Sequence, residues 1–305
     1  MTTSQTKITN DITLEQLATL CKSQLSNIYS RYLANIPSLE LKTAMEYALY
    51  NSGKQLRPLL IYATGSLFGA PLENLNIPAA SVELIHTYSL IHDDLPCMDN
   101  ADLRRGKPTC HKVYSEGMAV LTGDALHTLA MQILANHPAP LKADKRVQMM
   151  KTLSEACGPF GMAAGQALDI NVLQDKDISN DLLIEIYRLK TGALFSACIQ
   201  LGWLASNDDD EINQHAMCLF GDSIGLAFQI QDDILDIEAS AELSGKTPGL
   251  DLKNNKMTYP KLHGLTHAKE KVESLYEQAL AAINYLGHQA ELLRELTRQM
   301  LERNR

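Results

Sequence analysis

An all-α fold, a single large bundle of about ten or more helices, is predicted from three features of this 305-residue sequence. Apolar residues recur at helical spacing along most of the chain. Sustained alternation of the kind that marks strands is hard to find. The 17 glycines and 11 prolines fall between the periodic segments. No Ser/Gly-rich linker, fixed-period repeat or low-complexity tract divides the chain, so residues 1–305 read as one domain.

The elements follow in order. Leu14, Leu17, Ala18 and Cys21 place a helix over 12–35, and 39–51 continues the pattern. A helix over 54–67 has Pro58 near its start, where a missing N–H costs nothing. Val82, Ile85, Tyr88 and Ile91 step by three, with Leu95 four later, which places a helix over 75–96 that Pro96 ends or distorts. Helices over 112–136 and 142–173 come next. Leu182, Ile186 and Leu189 mark 178–204, and helices over 209–238, 256–284 and 287–303 complete the chain. Polar breaks fall at 97–111 and 239–255. In "GPFGMAAGQALD" (158–169), Gly161 and Gly165 let two helices, or a helix and a ligand, approach closely.

Composition excludes several classes. With a net charge of −9, the chain is not expected to bind nucleic acid or an anionic membrane non-specifically. The six cysteines form no CxxC pair and suggest neither a disulfide framework nor a zinc site. No basic region followed by an apolar block opens the chain, and no apolar run approaches the roughly 20 residues that span a bilayer. A cytoplasmic protein with no stable membrane insertion is expected.

Two stretches carry the chemistry. "IHDDLPCMDNADLRRGKPT" (91–109) gathers Asp93, Asp94 and Asp99 before Arg104, Arg105 and Lys107. "QIQDDILD" (229–236) gathers Asp232, Asp233 and Asp236. Helical residues four apart lie about 40° apart around the axis and residues three apart about 60°. Asp232 and Asp233 therefore flank Asp236, with Gln229 on the same side. Carboxylates grouped on an apolar helix make sense if hard cations neutralise them, because Mg²⁺ takes oxygen ligands and shares its shell with phosphates. Asp93 and Asp99 are too far apart on a continuous helix, so the chain after Pro96 is expected to bend Asp99 back. Lys54, Arg57, Arg104, Arg105, Lys190, Lys246 and Lys256 add cations suited to a diphosphate, Arg as a bidentate fork and Lys as a point charge. His86 shares the face of Asp93 and suits phosphate contact better than acid–base chemistry. His92–Asp93 also fits a metal-dependent phosphohydrolase of the HD type, with His111 and His127 as further ligands, but that reading leaves "QDDILD" unexplained.

The paired motifs resemble the two aspartate-rich motifs of trans-isoprenyl diphosphate synthases, most closely the bacterial and plant-type branch that includes bacterial farnesyl diphosphate synthases. "GKQLRP", "HTYSLIHDD", "AGQALD", "RLKTGALF", "GKTPGLD" and "NNKMTYP" add to the likeness, which runs from about residue 15 to the C-terminus. The resemblance implies a helical bundle around a deep central cavity, in a homodimer. It implies that Asp93, Asp94, Asp99, Asp232, Asp233 and Asp236 hold three Mg²⁺, with Mn²⁺ able to substitute. Arg104, Lys190, Lys246 and Lys256 would help bind the diphosphate of an allylic substrate. Gly53, Lys54, Arg57, His86 and Arg105 would bind isopentenyl diphosphate, and Thr191 and Gln229 would face the developing cation. On this likeness Asp93, Asp99, Arg104, Lys190, Thr191, Gln229, Asp232 and Lys246 carry the catalysis.

Tyr88, five residues before Asp93, resembles the floor that limits the product to farnesyl (C15) length. The alternative is a geranylgeranyl (C20) or longer-chain synthase. A terpene cyclase is disfavoured because its second metal motif normally carries Ser/Thr and Glu. A non-catalytic regulatory homologue is disfavoured because every principal metal ligand is present. Two departures stand out: Ala101 replaces a usual aspartate, and Cys97 stands where farnesyl synthases of this branch often carry Ala. The terminal "ERNR" resembles a basic tail that closes over substrates, with Arg305 as a contact.

Overall fold

A computed structural model describes residues 8, 12–51, 53–139, 141–172, 178–242 and 257–302. Helix accounts for 79% of the protein, and the sheet among the described residues is one two-stranded ribbon, in line with the all-α expectation. The chain forms two compact units, residues 1–151 with 204–207 and residues 152–203 with 208–305.

The first unit holds α1 (Leu14–Leu33), α2 (Leu39–Tyr50), α3 (Leu56–Leu67), α4 (Leu72–Asp93), a ribbon of β1 (Leu103–Arg104) and β2 (Lys107–Pro108), α5 (Cys110–Val113) and α6 (Glu116–Ala135). Thr13 and Gln16 close a capping box on α1, satisfying donors that a helix start leaves open. α4 is the spine of this unit: α1, α3 and α6 pack on it, and Leu75, Leu84 and Ile85 are buried along it. α6 approaches closely because Gly123 leaves room for the His92 ring, whose Nε2 lies 3.2 Å from the Val120 carbonyl. Contrary to the composition-based expectation, α6 is long and apolar enough to cross a membrane. One side of it packs against α4, while Val120 and Leu121 are exposed.

The expected helix over 112–136 is two, parted where Ser115 caps α6 by accepting from Met118 N–H. The ribbon fills the first polar break. Arg104 pairs with Lys107, and the two turn residues, Arg105 (φ 53°) and Gly106 (φ 75°), are both left-handed. That is the geometry favoured by a two-residue hairpin.

In the second unit the expected 142–173 helix is divided at 158–161. α7 (Ala143–Cys157), which begins in the first unit, precedes the division and α8 (Met162–Val172) follows it. The expected 178–204 helix is α9 (Asn180–Tyr187), a π-helical segment (Arg188–Gly192) and α10 (Ala193–Leu204). α11 (Glu211–Glu242) is the longest element described and runs past its expected end. α12 (Tyr259–His263) and α13 (Leu265–Ala282) are separated by Gly264 at φ 87°. A 3₁₀ segment (Asn284–Ala290) leads into α14 (Glu291–Leu301). Ile186, Tyr187, Leu226, Ile230, Ile234, Tyr259 and Leu275 form the buried cluster between α9, α11 and α13. All six cysteines are free: four are buried, Cys218 is half-buried and Cys97 is exposed.

Candidate active site

The first aspartate motif is a folded turn at the end of α4. Asp93 is the last helical residue and Asp94 the cap. Beyond Pro96 the chain doubles back: Asp99 N–H donates to the Asp93 carbonyl (2.9 Å) and Ala101 N–H to that of Asp94 (3.2 Å). Asn100 makes the reversal with φ 50°. The expected bend of Asp99 toward Asp93 is thus present. Ala101 is buried and its carbonyl accepts from Thr109 Oγ1 (2.8 Å), so this position holds the turn rather than a ligand.

Asp94 has a different task from its neighbours. It is 3% exposed, and both its oxygens accept from Arg104: Nε at 3.0 and 2.8 Å, Nη2 at 2.7 Å. Burial disfavours the Arg104 charge, but the Asp94 bonds and charge, with Asp93 and Asp99, more than offset this and raise its pKa. The Asp94 carboxylate meets the Nε/Nη2 edge of Arg104. The opposite Nη1 edge is what Arg104 can offer a phosphate.

Arg57, in the first turn of α3, lies 3.4 Å from His86 Nε2 on α4. Burial and the charges of Arg57, Arg105 and Arg104 push the His86 pKa well below its usual value. A guanidinium only donates, so an unprotonated Nε2 can accept from Arg57. Arg105 reaches back from the hairpin, with Nη1 3.3 Å from the Asn51 carbonyl. A Cβ at Gly53 would stand 3.0 Å from Arg105 Cζ and Nε, so Gly53 makes room for this guanidinium. Lys54 is exposed beside it. The histidines of the phosphohydrolase reading have other roles. His92 sits against α6, His111 lies 3.1 Å from Thr109 Oγ1, and His127 packs edge-on against Tyr88 with ring centres 5.0 Å apart.

The second motif shows the same contrast in burial. Asp232 and Asp236 are half-buried one turn apart on α11, whereas Asp233 is 4% exposed. Asp233 accepts from Tyr187 Oη, from Gln229 Nε2 (3.2 Å) and from Tyr259 N–H (3.4 Å). The carboxylate ties α11 to the end of α9 and the start of α12. Gln229 also accepts from Thr191 Oγ1 (2.7 Å), which joins the π-helical segment to the motif. Lys190, next in that segment, is held by Asp169 on α8 at 2.6 Å.

Tyr187 and Asp169 were not singled out from sequence, although Asp169 ends the quoted "AGQALD". Lys246, Lys256 and Arg305 lie outside the described residues. A cleft of about 600 Å³ in the second unit, lined by Arg188, Ser196, Asp222 and Leu226, contains none of the expected site residues.

Among the described residues no three His, Cys, Asp or Glu side chains converge into a metal cage. The expected donors, Asp93, Asp94 and Asp99 in one motif and Asp232, Asp233 and Asp236 in the other, are all carboxylates. Such sparse, oxygen-only sets suit Mg²⁺, which keeps waters and completes its shell from substrate phosphates.

The comparisons agree with this chemistry. The polyprenyl synthetase family profile matches residues 38–293. Farnesyl diphosphate synthase of Escherichia coli K12 is 42% identical over 291 residues, 93% of this chain and 97% of the relative. Chloroplastic geranylgeranyl pyrophosphate synthase of Capsicum annuum is 44% identical over 236 residues, 77% of this chain and 64% of the relative. The crystal structure of a geranyltransferase from Legionella pneumophila superposes with a TM-score of 0.85 at 36% identity, covering 95% of this chain and 97% of that one. Members of this family use divalent metal to bind diphosphate substrates. The chain, matched across more than half its length and carrying both aspartate motifs, belongs to the polyprenyl synthetase family.

Proposed function

We infer that this protein is a farnesyl diphosphate synthase, a prenyltransferase that condenses isopentenyl diphosphate with dimethylallyl and then geranyl diphosphate. The observation that carries this reading is the contrast in burial within each aspartate motif. One carboxylate is buried against a partner (Asp94 on Arg104, Asp233 on Tyr187), while Asp93, Asp99, Asp232 and Asp236 are more exposed. The family match across residues 38–293 supports treating both units as one polyprenyl synthase domain.

Asp93, Asp99, Asp232 and Asp236 would hold the metal, three Mg²⁺ by resemblance with Mn²⁺ able to replace them. Bound there, the ions supply positive charge to the departing diphosphate, electrostatic stabilisation where charge develops. Arg104 and Lys190, with Lys246 and Lys256, bind the same leaving group. Arg57, neutral His86, Arg105 and Lys54 hold isopentenyl diphosphate, its double bond turned toward the allylic carbon. The Thr191–Gln229 pair presents oxygen dipoles to the allylic cation. Ionisation breaks the C1–O bond, and the isopentenyl double bond then forms the new C–C bond. A proton leaves the resulting cation for the released diphosphate, so no side-chain base is needed.

The C15 assignment rests on Tyr88, whose ring is backed edge-on by His127 and by His92 at 5.7 Å. Tyr88→Ala is expected to shift the principal product from C15 to C20 or longer, and His127→Ala to shift it less. Chromatography of dephosphorylated products checks both, and an unchanged product from Tyr88→Ala removes the floor role. Exposed Val120 and Leu121 on α6 support reading the protein as a homodimer. We read the protein as a cytoplasmic enzyme without stable membrane insertion, and its net charge of −9 supports the absence of non-specific attraction to nucleic acid or an anionic membrane. The central test is incubation with Mg²⁺, labelled isopentenyl diphosphate and dimethylallyl diphosphate. Farnesyl diphosphate is the expected product, absence of condensation rejects the activity, and a C20 product establishes the longer-chain alternative.

A further inference from the structure

The ribbon that carries Arg104 and Arg105 pairs two residues with two, too short a sheet to hold its shape unaided. One face of α2 supports it. Thr43, Tyr47 and Asn51 follow at four-residue steps, which stacks them along a single stripe of that helix. Tyr47 Oη donates to the Pro108 carbonyl on β2 at 2.6 Å. Tyr114, just beyond α5, donates back to the Thr43 carbonyl at 3.0 Å. Its ring meets the Tyr47 ring edge-on, with centres 5.9 Å apart. Asn51 caps the C-terminus of α2, where a helix leaves carbonyls open and its dipole favours cations. The last turn of α2 has no basic residue of its own. The ribbon supplies two: Arg105 Nη1 reaches the Asn51 carbonyl at 3.3 Å, and Lys107 Nζ reaches its Oδ1 at 2.5 Å.

We propose that Tyr47 and Asn51 are positioning residues, which hold the ribbon against α2 so that Arg105 is in place before isopentenyl diphosphate binds. Their role rests on the reading of Arg105 as a contact for that substrate. Ordering a long side chain and its loop in advance removes that cost from binding. Asn51 holds its two cations without a negative charge, so the contact does not itself repel an incoming diphosphate. Arg104 depends on the clamp less. Asp94, at the end of α4, holds it through three hydrogen bonds. Loosening the grip of α2 therefore frees Arg105 first, and the effect falls on one of the two substrates.

Steady-state kinetics with each substrate varied in turn, alongside thermal melting, test this. Tyr47→Phe removes one hydroxyl and keeps the ring against Tyr114. It is expected to raise KM for isopentenyl diphosphate about fivefold, the scale of one lost hydrogen bond, with kcat and KM for dimethylallyl diphosphate within about twofold. Asn51→Ala removes the partner of Lys107 but keeps the backbone carbonyl, so a selective rise of about threefold is expected. It serves as the test variant if Tyr47→Phe does not fold. An unchanged KM for isopentenyl diphosphate in either variant overturns the role of that residue. Equal rises for both substrates overturn the proposal as a whole. Arg105→Ala separates the two levels. If it too leaves that KM unchanged, the reading of Arg105 as a substrate contact fails. If it raises KM while Tyr47→Phe and Asn51→Ala do not, only the positioning role is lost.

Discussion

Asp93→Ala is expected to lower kcat by about a thousandfold, the scale seen when one electrostatic stabiliser of a developing charge is removed. Asp232→Ala is expected to do the same. Neither change should unfold the protein. Asp93 is half-buried at a helix end and the bond that folds Asp99 back uses its backbone carbonyl, which alanine retains. Asp232 is half-buried on α11, where alanine favours helix. Turnover of labelled isopentenyl diphosphate at saturating Mg²⁺, alongside circular dichroism and thermal melting, measures both effects. Near-normal turnover in either variant would falsify the metal-ligand assignment. Asp94→Ala provides the contrast. It strips Arg104 of its partner at a partly buried position, so the melting temperature should fall together with activity. Removing metal with a chelator should silence the native enzyme reversibly, with Mg²⁺ restoring it.

The second large effect concerns Gly165. A Cβ there would lie 2.2 Å from the Lys190 nitrogen and 2.6 Å from its Cα, both backbone atoms in the π-helical segment. No flexible side chain can yield, so α8 and that segment must move apart. Gly165→Ala is expected to destabilise the fold by about 3 kcal/mol, the upper part of the usual range for overpacking. It should also displace Lys190 and Thr191, and so cut turnover even where the protein stays folded. Urea denaturation and kcat measured well below the midpoint check the two parts. Wild-type stability would show that the contact is not tight, and wild-type kcat that the segment does not position these groups.

Much of this was legible in the residues. The 3.6-residue period marked the helices, and Pro96 signalled the reversal that brings Asp99 to Asp93. The small residues of 158–169 announced a close approach, which is Gly165 on the Lys190 backbone. Other features lacked a local signal. The π-helical segment reads as ordinary helix because its apolar neighbours keep helical spacing. The division within each aspartate motif was hidden because it depends on burial, and burial of Asp94 and Asp233 depends on partners distant in the chain: Arg104 for one, Tyr187 and Tyr259 for the other. Adjacent aspartates look alike in sequence, and only their surroundings separate the buried carboxylate from the more exposed one. Gly53, expected beside isopentenyl diphosphate, leaves space that the Arg105 guanidinium fills, a contact with no local signal in the sequence.

The ribbon turn has a consequence for how this sequence is maintained. A two-residue hairpin with both φ angles positive is most comfortable as Asn-Gly, and a long β-carbon-bearing residue at the first position costs about 1 kcal/mol. The chain carries Arg105 there, at φ 53°. The preceding residue, Arg104, is committed to Asp94, so the two consecutive arginines serve opposite sides of one tight loop. A sequence optimised for stability alone would drift toward Asn-Gly at this turn. Arg105 instead accepts the strain and extends its guanidinium to within 3.3 Å of the Asn51 carbonyl.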